Sequence, residues 1–405
     1  MQRFIKSKFL ILAIIGIFVL YLSNDFSLID IKESAIIVAL GVDKENGRYE
    51  VSAQIAIPQA TDQTASNYST VLTGKGETVS RALENIGIHT GWYPKLSFCN
   101  IIMLGKGLFD GDIMESIDYF LRTTKIQDTA ELCAAENTAK EILTAFSPLD
   151  EISAFSLIKI LQKDAESSSS VTFTSIREFA MGYYSKSGFS LMPVVSTIKV
   201  DGKGEGKGNQ AAGSFDLSRP ASSTEGGGDK KNQTLFSATK TLLFKKGRAS
   251  TVLDEKQTML FNLLDHPINE ASIQIKNTEH CGKPADLFLA LRNNRGKITL
   301  TVKNGRPIVN VRLKVAARID DTNVSVSPEN LAGGYTVPEN VLKDLEKELS
   351  SVIVSAFEKA RADGCDLFEI KDRLYRTQNK YYAALENRAL TDAAINVTVK
   401  AESLK

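Results

Sequence analysis

The sequence predicts an α+β protein of more than one domain, with mixed or antiparallel sheets covered by helices and one N-terminal membrane-anchor helix. Alternating apolar residues flank Asn46-Gly47 and Asn304-Gly305, the strongest short-range signal for tight antiparallel hairpins. Apolar residues recur at helical spacing in several segments, the longest running from Val341 to Asp363. Strands and helices follow one another without a strict strand–helix repeat, which argues against a doubly wound parallel fold.

The first element is apolar. Arg3, Lys6 and Lys8 precede fourteen apolar or glycine positions from Phe9 to Leu22. At about 1.5 Å per residue such a helix spans about 21 Å, short of a hydrocarbon core of roughly 30 Å. Flanking lysines snorkel and the bilayer thins cheaply, so an uncleaved signal anchor over residues 1–24 is favoured above a cleaved signal or a soluble core helix. Tyr21, Leu22, Ser23 and Asn24 give neither a small-x-small cleavage site nor a cysteine for lipid attachment. Basic residues before the run, with Asp25 and Asp30 after it, place the N-terminus in the cytoplasm and the rest outside.

A domain over residues 25–199, of one body or two subdomains, begins with a hairpin: Ile36–Val42, a turn, then Tyr49–Ile57 ended by Pro58. Thr78–His89 is a helix with Val79, Ala82, Leu83 and Ile86 on one face, followed by a strand in "KLSFCNIIML". Asp112 can cap a helix carrying Ile113, Ile117, Phe120 and Leu121, and Asn137 one carrying Ile142, Leu143 and Phe146. A further helix is expected after Asp150. Residues 200–233, rich in Gly, Ser, Lys and Glu, cannot bury enough apolar surface to offset ordering entropy and read as a flexible linker or loop. The second domain, 234–405, opens with two strands around "KKGR" and a helix from Glu255 to Leu264. The Asn304-Gly305 hairpin follows, then the long helix after Pro338 with Gly364 as its C-cap, and a last strand in "AAINVTVKA".

The 405 residues suffice for two or three domains of about 100–150 residues. With 49 basic and 48 acidic residues, charge offers no case for a nucleic-acid partner. Four cysteines, Cys99, Cys133, Cys281 and Cys365, form no C-x-x-C pair. Cys99 and Cys133 sit in apolar runs and are expected as buried thiols rather than as a disulfide.

Motifs for chemistry are weak. Gly202, Gly204, Gly206 and Gly208 match neither phosphate-binding pattern and precede no helix; "TGKGET" fails the same test. The three histidines, His89, His266 and His280, lie apart, and His280-Cys281 is a single adjacent pair rather than a metal set. No G-x-S-x-G, H-E-x-x-H or well-placed S-x-x-K occurs. Asp254-Glu255 reads as a helix cap. Trp92-Tyr93 is expected to pack as a loop over the sheet, with an exposed partner site as the alternative. The long helix is expected to cover its own sheet. No catalytic, cofactor-binding, metal or lipidated residue is therefore named.

Several blocks, in order, resemble the Ger(x)C family, the C subunits of spore germinant receptors. "AIIVALGVDKENGRYEVSAQIAIP" is similar to the family's opening hairpin, and "LTGKGETVSRALENI" to its next strand and helix. "KLSFCNIIMLGKGLFDGDIMESIDYFLRTTKIQDTAELCAAENTAKEIL" is similar to the longer block that follows. "TKTLLFKKGRASTVLDEKQTML" and "KDLEKELSSVIVSAFEKARADGCDLFEI" resemble parts of its C-terminal domain.

The resemblance implies a non-enzymatic subunit acting through protein–protein contacts in nutrient-triggered germination. It implies membrane-embedded A and B type receptor subunits as partners, the outer face of the spore inner membrane as location, no cofactor and no small-molecule ligand for this subunit alone. The family's lipobox cysteine is missing, "LSND" standing in that region, and the strand reading "LSFCN" lacks the family's usual histidine. A membrane-anchored cell-envelope hydrolase and an extracytoplasmic ligand-binding protein are the readings from other classes.

Overall fold

A computed structural model of the chain describes residues 14–18, 34–56, 69–147, 150, 152–161, 169–199, 234–280, 282–323 and 336–404. Most of the expected anchor, the Gly-rich 200–233 segment and Cys281 lie outside the described residues. Residues 14–18 are helical and expose Ile14, Ile15, Ile17 and Phe18. Among the described residues no helix is long and apolar enough to cross a membrane.

The first sheet starts with β1 (Ser34–Glu45) and β2 (Arg48–Ala56). Asn46 and Gly47 between them have φ of 50° and 78°, the two left-handed positions that a two-residue primed turn requires. Then come β3 (Ser69–Gly76), α1 (Val79–Thr90), β4 (Tyr93–Lys95) and β5 (Ile101–Leu104). α2 (Met114–Arg122) leads to β6 (Glu131–Ala135), and α3 (Ala139–Thr144), α4 (Ser153–Leu161) and α5 (Ile176–Tyr184) to β7 (Phe189–Lys199). β8 (Thr234–Lys245) and β9 (Arg248–Leu253) complete nine strands in the order β3-β2-β1-β5-β6-β7-β8-β9, with β4 beside β1. β1, β5, β6 and β7 are parallel and the outer pairs antiparallel.

Alternation along the central strands supplies two apolar faces. Ile102, Leu104, Leu132 and Ala134 meet α1, α2 and α5 on one side. Ile101, Met103, Cys133 and Ala135 meet α3 and α4 on the other. α1 buries Val79, Ala82, Leu83 and Ile86, the face its spacing predicts, and Thr78 caps it by accepting from Arg81 N. The strand expected across "KLSFCNIIML" is broken in two. A turn closed by Cys99 N donating to Leu96 O separates β4 from β5, beside the register shift between Ile37 and Ala39 of β1.

The break in composition at 200–233 does not divide the two sheets. β8 runs antiparallel to β7 from Phe189↔Lys245 to Lys199↔Thr234, so the segment joins the paired ends of one hairpin. Residues 234–253, assigned from sequence to the second domain, finish the first sheet; propensity reports that they are strands but carries no information about which neighbour they pair with.

The second sheet has the order β10-β11-β12-β13, from β10 (Ala271–His280), β11 (Lys283–Lys303), β12 (Arg306–Thr322) and β13 (Ala394–Ser403). Asn304 and Gly305 repeat the left-handed pair, with φ of 51° and 69°. α6 (Glu255–Asp265) and α7 (Glu339–Ala362) cover one face, and α8 (Ile370–Thr377) and α9 (Asn379–Leu385) close its end. α7 buries Val341, Leu345, Leu349, Ile353, Ala356, Phe357 and Ala360 against its own sheet, as the spacing predicts. Gly364, at φ 71°, ends it, with Cys365 N donating to Ala360 O. Phe189, Leu243 and Leu253 from the first sheet enter this second core, so the two sheets share apolar packing.

Candidate functional site

A cleft of varied chemistry lies where the two parts meet. It holds about 440 Å³ and is bounded by α5, β7, α6 and α8. Each wall is set by local capping. Ser175 and Glu178 form a capping box at the start of α5, and Asp254 with Gln257 does the same for α6. Asp254 thus serves as the cap that the sequence predicts. α5 and its box are absent from the sequence reading, although "SIRE" carries the S-x-x-E signature.

The two halves are tied by Asp372 of α8, which accepts from Ser187 N at 2.8 Å and Lys186 N at 3.3 Å, both in the α5–β7 turn. Burial opposes ionisation of Asp372, but these hydrogen bonds and those from the Ser187 and Ser185 hydroxyls outweigh it and hold the carboxyl below its ordinary value. The mouth of the cleft carries Asp265, His266, Glu369 and Arg376. His266 Nδ1 stands 3.6 Å from the Asp265 carboxylate. Ser190 is spent on structure, its hydroxyl donating to Phe179 O. The cleft can therefore receive a small polar or cationic group, whereas neither of its serines, Ser185 and Ser190, pairs with His266 in the hydrogen bonds described.

The other residues singled out in the sequence fall elsewhere. His89 ends α1 and His280 ends β10, so the three histidines are not brought together. Among the described residues no group of three His, Cys, Asp or Glu is arranged to hold a metal ion. Cys99, Cys133 and Cys365 are free, buried thiols. Burial pushes the Cys99 and Cys365 thiols up to about 12 and also raises Cys133, which suits packing and not reactivity. "TGKGET" forms the end of β3 and the cap of α1. Trp92 and Tyr93 do not pack over the sheet as expected; they are 48% and 41% exposed.

Two carboxylates that sequence reasoning missed, the half-buried Asp43 and the buried Asp366, organise helix starts. Asp43 in β1 accepts from Ala139 N and Lys140 N of α3, at 2.9 and 3.0 Å. Asp366 accepts from Ile370 N and Lys371 N of α8, at 2.7 and 3.0 Å. Burial pushes the Asp366 carboxyl up to about 6 from an ordinary 3.8 in spite of those bonds. Between these values the folded chain holds a proton that the unfolded chain has lost. The stability contributed by the protonated group is present below about pH 4 and is lost as pH rises through about 6. Asp366→Asn has no proton to lose. Urea titrations across pH should show the wild type losing about 3 kcal/mol relative to this variant between about pH 4 and pH 7.5. A pH-independent difference would contradict the burial argument.

Comparison with known proteins extends the picture beyond the cleft. Residues 28–197 match the family described as "Spore germination protein N-terminal domain". Residues 239–403 match "Spore germination B3/ GerAC like, C-terminal". No curated protein matches the chain. Among solved structures, one titled "Crystal Structure of the GerBC protein" is similar in fold, with TM-score 0.52 and 14% identity, over 91% of this chain and 97% of that one. The second match begins within β8, inside the first sheet, so the boundary between family domains is not the boundary between sheets. With its two halves matched in order along nearly all of the described fold, the chain belongs to the Ger(x)C family of spore-germination proteins.

Proposed function

We propose that this chain is a non-enzymatic C-type subunit of a spore germinant receptor. It assembles with membrane-embedded A and B type subunits, with its folded domains on the extracytoplasmic side of the spore inner membrane. The observation that carries this reading is the ordered match of both halves to spore-germination domains, over residues 28–197 and 239–403. Residues 1–24 act as the mooring, residues 25–199 and 234–405 as the two family domains, and 200–233 as the insertion between them.

The interdomain arrangement suits a coupling role. The Asp372 tie and the shared apolar packing make a displacement of α8 felt at the α5–β7 turn, which gives contiguous contacts for passing a partner's movement from one half to the other. Affinity purification of the full chain from detergent-solubilised spores should bring down two polytopic chains. Deleting its gene should abolish germination toward at least one nutrient. Recovery of the chain alone, with germination unchanged toward every nutrient in a strain without redundant receptors, would overturn the proposal.

A further inference from the structure

The topology collects exposed aromatic side chains at one edge of the first sheet. β1, β5, β6 and β7 are parallel, so their starts share that edge. α1, α2 and α5 each return the chain to a strand start, and their C-terminal ends lie there too. Ile88 projects from the last turn of α1 at 60% exposure, and Tyr184 from that of α5 at 73%. Trp92 and Tyr93 stand between α1 and β5, and Lys125 Nζ lies 5.5 Å over the Tyr93 ring. Arg122, at the end of α2, lies near Tyr184.

This edge is also where the chain arrives from its N-terminal apolar run. Tyr93 is the register partner of Ser34, the first residue of β1. Ser34 lies twelve positions after Leu22, a tether of at most about 40 Å. Tryptophan and tyrosine favour the boundary between head groups and acyl chains, where an apolar ring and a polar tip are both accommodated. Lysine and arginine beside them reach phosphates while their stems stay on apolar surface. The combination is costly in water and unsuited to a core.

We propose that this edge is seated on the lipid bilayer. Ile88, Trp92, Tyr93 and Tyr184 enter the head-group region, and Arg122 and Lys125 meet lipid phosphates. The inference rests on the membrane mooring proposed above and adds to it a second, lateral contact that fixes the orientation of the first domain. A tether alone leaves the domain free to tumble. Seating this edge presents the same domain faces to neighbouring membrane subunits at all times.

The chain contains 1 tryptophan, so its intrinsic fluorescence reports Trp92 and thus this edge alone. The full chain would be reconstituted in vesicles of phosphatidylglycerol and phosphatidylcholine, with and without brominated acyl chains, and floated on a density gradient. The expected result is co-flotation, emission shifted to shorter wavelength than in detergent-free unfolded chain, loss of most intensity to brominated lipid, and resistance to aqueous acrylamide. Ile88→Ser combined with Tyr184→Ser, both on exposed side chains, should restore acrylamide quenching without changing the circular dichroism. A chain that floats while Trp92 is quenched by acrylamide and untouched by bromine would overturn the seating and leave the mooring standing. Failure to float would overturn both. Shielding of Trp92 that arises only when receptor partner chains are added would assign the edge to protein and overturn the lipid contact.

Discussion

Replacing Phe244 by alanine should lower the unfolding free energy by about 4 kcal/mol, within the range for truncating a fully enclosed aromatic side chain. Phe244 has no solvent exposure and lies on β8, after the 200–233 insertion. Its ring meets Phe179 and Phe109 edge to face, at centroid distances of 5.2 and 5.9 Å. Those partners come from α5 and from the turn before α2, both in the first half of the chain. Truncation therefore removes buried area, leaves a cavity and breaks two ring pairs, each worth about 0.5–1.5 kcal/mol. Against a typical total stability of about 5–15 kcal/mol the loss is large.

Urea denaturation of the full chain in mild detergent measures this effect, and thiol labelling locates it. Cys133 in β6 is fully buried, so its reaction with a thiol reagent reports opening of the first sheet. Phe244→Ala should accelerate that reaction even though the substitution lies beyond the insertion. A variant that loses less than about 1 kcal/mol, or that leaves Cys133 as protected as before, would show that β8 is not integral to the first sheet. Val252, exposed on the neighbouring strand β9, is the control; truncating it should cost less than about 0.5 kcal/mol.

The same strand shows where sequence reading ends. Local signals were sufficient for α1, whose four buried residues are those its periodicity names, and for both Asn-Gly hairpins, whose left-handed turn positions need those residue types. α7 was equally legible, because seven buried positions along one helix leave little choice of face. The pairing of β7 with β8 was not legible. Residues 35 positions apart meet at Lys199↔Thr234, and the glycine-rich composition between them resembles a domain linker as well as a hairpin loop. α8 and α9 were not legible for a different reason: at eight and seven residues each offers too few apolar positions to establish a period.

Of the cleft, the sequence supplied single residues without their grouping. His266 was visible as one of three histidines, but its place in one cleft with Glu369 and Asp372 depends on α8 standing across that cleft from α6, a hundred residues on in the chain. Trp92-Tyr93 was recognised as an aromatic pair in a connection, and the fold leaves both rings exposed instead of packing them over the sheet. Family resemblance supplied the order of blocks along the chain but not the pairing of β7 with β8.

The junction between α6 and β11 should be as sensitive as the Phe244 site, for the opposite reason. Gly296 lies so close to the end of α6 that a Cβ added there would stand 2.1 Å from Leu264 O and 2.5 Å from Leu264 Cα. Both are backbone atoms, and rotating a side chain cannot relieve them. Leu264 cannot withdraw easily either. Asn294, 5% exposed and two residues before Gly296, donates to Leu263 O and His266 O at 2.7 Å each and accepts from Ile268 N at 2.7 Å. These three bonds clamp the turn after α6 onto β11. Gly296→Ala must therefore separate α6 from the sheet or stretch the clamp, and should cost at least about 3 kcal/mol, the upper part of the range for overpacking. Asn294→Ala attacks the same seam by leaving two buried carbonyls and one N–H unpaired, at about 1–3 kcal/mol for each group that finds no water. Because both substitutions loosen one contact, their effects should be less than additive when combined, and a double-mutant cycle in urea tests this directly. Strict additivity would mean that the clamp and the close approach are independent. A near-neutral Gly296→Ala would mean that α6 does not press on β11 at all, and the wall it contributes to the cleft would have to be redrawn.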